Sequence, residues 1–528
     1  MNYFERETRQ MKPFLRPLFF SLILLATTAG TAIAKEATWV TDKPLTLKLH
    51  MHFGDRYVWD DNWPVAKEAF RLTNVKMTNT ANKAATNSME QFNLMMASGN
   101  LPDVVGGGNL KDPFIRYGIE GAFIPLNKLI DQYAPNIKAF LKSHPDVDRS
   151  IRAPDGSIYY VPYVPDGTVA RGWFIRQDWL DKLKLKQPQT VEELHTVLKA
   201  FKEKDPNGNG KADEVPFFAR DFQEAYRLVN LWGARSSGSD SYLDFILDAN
   251  GKVKHPFAEP GFRDGIRNVA KWYSEGLIDA EIFTRRARAR EQLLGTNVGG
   301  VTHDWFGTTA SFNEALAPTI PGFKFVPMAP PADSTGKRWE EDARLPVRPD
   351  GWAITLNNKN PVETIKYFDF YFGRKGRNLA NFGVEGVNYD IKDGKPVFRE
   401  SVLKAKQSVL NQMKDIGAQI PIGFWQDFDY ERQWTTPIAL VGVDMYQKNK
   451  YLAPQFPGVV MNKEERAIYD QYATDVQTYM LEMAQNWVLG AKNVDKTWDE
   501  YQAKLKSLGY FQMLTVMQAA YNRQTGKH

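Results

Sequence analysis

The sequence predicts an α/β fold, and three observations carry that expectation. Leu45–His52 alternates and is β-favourable, Trp63–Leu72 spaces its apolar residues as a helix does, and Leu101–Val105 is a second short apolar run that ends in Gly106-Gly107-Gly108. Strand, helix and strand, with both strands short and apolar, is the pattern of a sheet with parallel pairs.

Each element has a local reason. In Trp63–Leu72 the residues Val65, Ala69 and Phe70 share a helical face. Asn87–Ser98 repeats the pattern with Phe92, Met95 and Met96, and Gly99 stops it. Thr190-Val-Glu-Glu193 is a capping box opening a helix through Phe201. Asn360-Pro361 sets a cap and a first-turn proline before Val362–Phe372. A long helix is expected from Lys463 to Trp487, ending at Gly490. No internal repeat and no low-complexity linker interrupts the chain, so its domains are expected to interleave.

Composition bounds the function. At 528 residues, 43% hydrophobic and 24% charged, the chain is that of a globular protein with two to four domains at about 150 residues each. A net charge of +5 is small for this length and argues against nucleic acid as the partner. The absence of cysteine excludes disulfides, thiolate metal sites, cysteine nucleophiles and a lipidated N-terminal cysteine. Residues 1–34 read as a signal peptide: Arg6, Arg9, Lys12 and Arg16, then an apolar run, then Ala32-Ile33-Ala34 with cleavage before Lys35. The alternative, a membrane anchor, needs about 20 uninterrupted apolar residues, and Thr27-Thr-Ala-Gly-Thr31 breaks the run. Removing those residues, four basic and two acidic, leaves +3. A periplasmic location is expected.

Asp205-Pro-Asn207-Gly-Asn209-Gly210-Lys211-Ala-Asp213-Glu214 matches the start of a calcium loop of D-x-N-x-N-G form. Oxygen ligands at loop positions 1, 3 and 5 alternate toward one centre, and Gly210 permits the sharp turn. Lys211 offers its backbone carbonyl. The twelfth position is Pro216 and not a glutamate, so Asp213 and Glu214 close the shell early and the loop is no complete EF-hand. Three carboxylates suit Ca²⁺ better than Mg²⁺, in a structural role. The alternative is an Asn/Gly-rich turn without metal.

Other constellations are weaker. His50-x-His52 puts two imidazoles on one strand face, where a packed or cleft-lining strand is favoured over a metal pair. Gly106–Gly108 lacks the spacing of a phosphate loop. Thr284-Arg-Arg-Ala-Arg-Ala-Arg290 reads as the solvated face of a helix, with docking of an acidic partner as the alternative. No G-x-S-x-G or H-E-x-x-H motif occurs. Aromatic and ionic residues instead stand side by side in several expected loops: 56–63, 159–163, 303–306 and 424–434. Rings stack on sugar faces while Arg, Asp, Glu and Gln bond to hydroxyls and carboxylates. The 424–434 stretch is expected to be neither helix nor strand.

Met95–Val104, Glu120–Leu129, Trp173–Leu180 and Thr190–Leu194 resemble the extracellular solute-binding proteins of ABC importers, and Asn381–Tyr389 with Thr497–Tyr501 fit the oligosaccharide-binding branch. Lys35–Lys48, the 205–214 loop and Gln419–Asp427 resemble, more closely, the periplasmic alginate-binding proteins. The resemblance spans the mature chain. It implies a type II binding protein of two α/β lobes, each a sheet flanked by helices, closing on an oligosaccharide in the cleft between them. The expected divisions are 35–165 for the N-terminal lobe, 166–300 for the C-terminal lobe, 301–360 for a return to the first, and 361–528 for the rest of the second. It further implies structural Ca²⁺ on Asp205, Asn207, Asn209, Lys211, Asp213 and Glu214. For the ligand it implies Arg56, Tyr163, Trp305, Arg344, Tyr430, Glu431 and Trp434, with Arg56 where the family has Lys. The partners implied are alginate or its oligosaccharides and an inner-membrane permease and ATPase complex, with the chain a monomer. No enzyme is expected. The alternatives are a receptor for neutral or pectic oligosaccharides, and a polyuronate lyase resting on Tyr430 beside Arg432.

Overall fold

A computed structural model describes residues 39–53, 57–239, 244–285, 288–341 and 343–526. The expected signal peptide, residues 1–34, lies outside them. Among the described residues fourteen strands occur, in chain order β1 (Leu45–Phe53), β2 (Tyr57–Val58), β3 (Val75–Asn79), β4 (Val104–Gly107), β5 (Val161–Pro162), β6 (Arg171–Arg176), β7 (Val215–Phe217), β8 (Ile246–Leu247), β9 (Val253–Lys254), β10 (Gly299–Trp305), β11 (Phe325–Met328), β12 (Gly351–Ile354), β13 (Tyr389–Lys392) and β14 (Lys395–Phe398). The first sheet runs β2-β1-β4-β12-β5, with β3 also on β1; the second runs β11-β6-β10-β7.

The expected parallel pairs are present, with Leu45 opposite Val75 and Leu49 opposite Val104. β12 then enters antiparallel between β4 and β5. Leu47, Leu49 and Met51 are fully buried and their neighbours His50 and His52 nearly so, because helices cover both faces of β1. The intervening helix is Pro64–Thr73, ended by Asn74 at φ 62°. Asn87 caps Ser88–Ser98 through the Glu90 amide, and Gly99 ends it in the left-handed region, as its lack of Cβ permits. Thr190 caps Val191–Glu203, but Glu193 reaches the amide of Gln189, one residue before the position a full box requires. Asn360 makes no side-chain cap to Pro361–Phe370. Asn358 supplies the local bonds, accepting from the Asn360 amide and donating to Thr364 Oγ1. Asn462 and Glu465 form a reciprocal box on Lys463–Val488.

The basic run departs from expectation. Its helix starts only at Ala289, and Arg285 and Arg290 turn inward, Arg285 onto Asp279 and Arg290 onto Asp304, Thr308 and Thr309. Buried acceptors outcompete water for these guanidinium groups.

Two large cores match the two sheets. The first gathers residues from Leu47 to Val164 and from Val347 to Tyr430. The second gathers Trp173 to Met328 and, from the C-terminal helices, Phe456 to Tyr521. A smaller cluster around Phe174, Phe306 and Tyr446 borders the second sheet. The cores therefore divide the chain differently from the expected boundaries: 301–328 packs with the second sheet, and Ile365–Tyr430 packs with the first. Strand and helix periodicity reports burial but not which sheet is joined. Among the described residues, no helix is long and apolar enough to cross a membrane.

Candidate functional site

The chain passes between the cores at 164–169, 343–347 and 434–437, and five expected ligand residues meet beside these passages. Val169 pairs with Ala343 and Val164 with Trp425 as isolated bridges. Arg344 follows directly, its amide bonded to the Thr168 carbonyl. Its Nη2 lies 2.7 Å from both carboxylate oxygens of Glu431, and its Nη1 donates to the Asp166 carbonyl. Glu431 belongs to a helix, Phe428–Trp434, capped by Asp427.

That helix corrects the expectation of an irregular 424–434 stretch. About two turns suffice to sort the residues: Tyr430 faces the first core, packed on Phe382 and Phe398, while Glu431 is half-buried beside Arg344. Trp434, four residues after Tyr430, stands 5.9 Å from its ring. Two buried donors here have no acceptor among the described residues, Arg344 Nε and Tyr430 Oη, while the Trp434 indole N–H faces the Tyr430 hydroxyl oxygen. Buried polar groups are rarely left so. Tyr163 stacks on Phe424, and burial pushes its phenol up to about 12 against the opposing pull of Arg344 and Arg348. Burial holds the Tyr430 phenol well above its ordinary range, and Arg432 is paired with Asp444.

Trp305 ends β10 on the second sheet. The guanidinium of Arg171, its partner across β6, lies 5.1 Å from the indole centroid. A Cβ on Gly307, two residues beyond Trp305, would stand 3.9 Å from the Trp434 ring, so the two tryptophan-bearing segments face each other. Behind Trp305 is a buried ion network. His303 bonds Glu224 at 2.8 Å and Glu340 at 2.9 Å. Burial alone would deprotonate it, but the two carboxylates hold its pKa up at about 10. The 303–306 segment, expected to line a sugar site, is thus divided: His303, Asp304 and Phe306 are buried and only Trp305 is half-exposed. The phenols of Tyr159 and Tyr160 are likewise in the core. Arg56 lies outside the described residues.

The 205–214 loop folds around its first residue. Asp205, at φ 46°, accepts the amides of Gly208, Asn209 and Gly210. The amide nitrogens of Asn207 and Asn209 bridge to Asp213 where a cation would otherwise balance it. Glu214 is buried beside Asp205 and Asp213, and burial together with those two carboxylates raises its pKa against the opposing pull of the Glu214 and Asn207 amides. Among the described residues no three His, Cys, Asp or Glu side chains converge as a metal cluster. The loop's donor set, two amides and a carbonyl beside its carboxylates, nevertheless fits a hard oxygen-seeking cation, which would offset the crowding of Glu214 by Asp205 and Asp213. Elsewhere, His50 and His52 are packed, with His52 bonded to the Ala85 carbonyl and His50 lowered to about 4 by burial and by His52.

Sequence reasoning missed Asp166, Arg171, Arg220 and Arg377. Asp166 Oδ2 accepts the Phe428 amide, and Arg377 lies 3.4 Å over Trp425 near Asp166 and Asp427. Arg220 follows β7 and bonds Asp304. Their partners are distant in sequence, so no local signal marks them.

A profile of the bacterial extracellular solute-binding proteins matches residues 63–378. A solved structure of the alginate-binding protein AlgQ2 without calcium ion is 70% identical, with a TM-score of 0.80, covering 92% of this chain and all of that one. The fructooligosaccharide ABC transporter substrate-binding protein FusA of Streptococcus pneumoniae is 27% identical over 464 residues, 82% of each chain. A polygalacturonan/rhamnogalacturonan-binding protein of Bacillus subtilis, YtcQ, is 24% identical over 347 residues, 65% of this chain and 67% of that one. With its two-sheet architecture and these matches, the chain belongs to the bacterial extracellular solute-binding proteins, the exported binding components of ABC importers, and it binds its solute without transforming it.

Proposed function

We propose that this protein is the periplasmic receptor of an ABC importer for acidic oligosaccharides, alginate first among them. The observation that carries the reading is the group at the passages between the cores. Arg344 is doubly bonded to Glu431, and Tyr430 Oη and Arg344 Nε are buried beside it without acceptors among the described residues. Such donors suit the hydroxyls and carboxylates of a uronic acid chain, and half-buried Trp305 and Trp434 suit its ring faces. The 70% identity to an alginate-binding protein supports the same ligand. The lobes close on the saccharide because the closed form makes contacts to both, and that form docks on the permease and ATPase complex. The lobe divisions follow the cores, with 39–166 and 347–434 in the first and 167–346 and 435–526 in the second. Ca²⁺ is held by Asp205, Asn207, Asn209, the Lys211 carbonyl, Asp213 and Glu214, and stabilises the second lobe. The protein is secreted by cleavage before Lys35 and acts as a monomer.

Tryptophan emission of the mature protein, titrated with alginate oligomers, neutral glucan oligomers and pectic fragments, tests the reading. A saturable change with alginate alone is expected. A response confined to neutral or pectic sugars overturns the ligand and favours the second reading, a receptor of the kind the relatives' names describe.

A further inference from the structure

The second sheet carries a part-exposed cation beside Trp305. Arg220 follows the C-terminal end of β7, whose parallel neighbour β10 ends at Trp305. Ligands of α/β sheets gather outside the carboxyl ends of their strands, so these two side chains stand on one ligand-facing edge. Arg220 Nη2 bonds Asp304 Oδ1 at 2.9 Å, and the same oxygen accepts the Trp305 amide at 2.7 Å. The guanidinium is thereby fixed within one residue of the indole.

Asp304 does not need Arg220 for neutrality. It is 3% exposed and already paired at 3.2 Å with Arg290, itself anchored by Thr308 and Thr309. Arg220 remains 31% exposed at its side chain, and Asp304 is the one hydrogen-bonded partner it has among the described residues. Four of its five N–H donors are thus available at the sheet edge. Arg171 covers one side of the Trp305 indole and holds it in place.

We infer that Arg220 and Trp305 form an anion-reading subsite on the second lobe: Trp305 takes the face of a uronic acid ring and Arg220 takes its carboxylate as a forked pair. The inference rests on the acidic-oligosaccharide reading above and adds the second-lobe residue that tells an acidic ring from its neutral counterpart.

Calorimetric titration of the mature protein with mannuronate trimers, and with the same trimers reduced at their carboxyl groups, tests it. The wild-type protein is expected to prefer the acidic trimer, and Arg220→Gln to lose about tenfold to a hundredfold in affinity for it, the worth of one charge-assisted pair, with little change for the reduced trimer. Unchanged affinity of Arg220→Gln for the acidic trimer overturns the subsite and leaves the receptor reading standing. Equal affinity of the wild-type protein for both trimers overturns it without any variant. Binding by the wild-type protein of neither trimer defeats the acidic-oligosaccharide reading itself, and the subsite with it.

Discussion

His303 is an imidazolium kept charged inside the second core. Breaking a buried pair by removing one partner is costly because it strands the other charge. His303→Gln is therefore expected to lose about 3 kcal/mol or more of stability at pH 6. The sign of its pH dependence follows from the raised pKa. The histidine holds its proton to about pH 10 in the folded chain, against 6.5 when exposed. Its contribution is complete below 6.5 and is lost as the pH rises through 10. Urea unfolding of both proteins at pH 6 and pH 10 should show their difference shrinking; a constant difference would contradict a charged His303. Glu224 runs the other way, since Arg227 and His303 overcome the penalty of its burial and depress its pKa, so its share fades only in acid. None of this was legible in His303-Asp304-Trp305-Phe306, because the partners stand 79 and 37 residues away. What the sequence does reveal there is the exposed ring alone.

Elements differ in how openly they declare themselves. Gly99 marks its helix end by a left-handed backbone that needs no Cβ, and Asn87 marks the start with a side chain that bonds within one turn, so local spacing discloses the helix. The helix Phe428–Trp434 hides because it is too short for an apolar stripe, and its rings divide between core and passage. The 205–214 loop is the opposite case, a local motif whose geometry follows its spacing. Without a cation Glu214 is left buried beside the carboxylates of Asp205 and Asp213. Chelation is expected to lower the melting temperature, and calcium at a hundredfold excess over its Kd to restore about 2.7 kcal/mol. Asp213→Asn should flatten that response while leaving circular dichroism near native. Melting curves that ignore both chelator and calcium would remove the ion from this loop.

Across the whole molecule, the two cores are tied by few covalent passages, and one ion pair lies against them. Arg344 rides on the 343–347 passage and is gripped by Glu431 from the first core and by the Asp166 carbonyl on the 164–169 passage. The sequence shows these residues as isolated polar positions; only the meeting of three passages makes them one group. The same blindness hides the strand order, since β12 slots between β4 and β5 after an excursion of nearly two hundred residues. A pair at this place biases the angle between the lobes, and a ligand can shift that angle only through its differential affinity. Glu431→Gln weakens the grip to a neutral bond. In small-angle scattering the wild-type protein is expected to contract when saturated with mannuronate trimers. The variant should begin from a broader distribution and need about tenfold more trimer to reach the same contracted state, as expected if about 1.4 kcal/mol of bias is lost. If the variant scatters as the wild type does, free and saturated alike, the Arg344–Glu431 pair sets no lobe angle and acts only as a local contact.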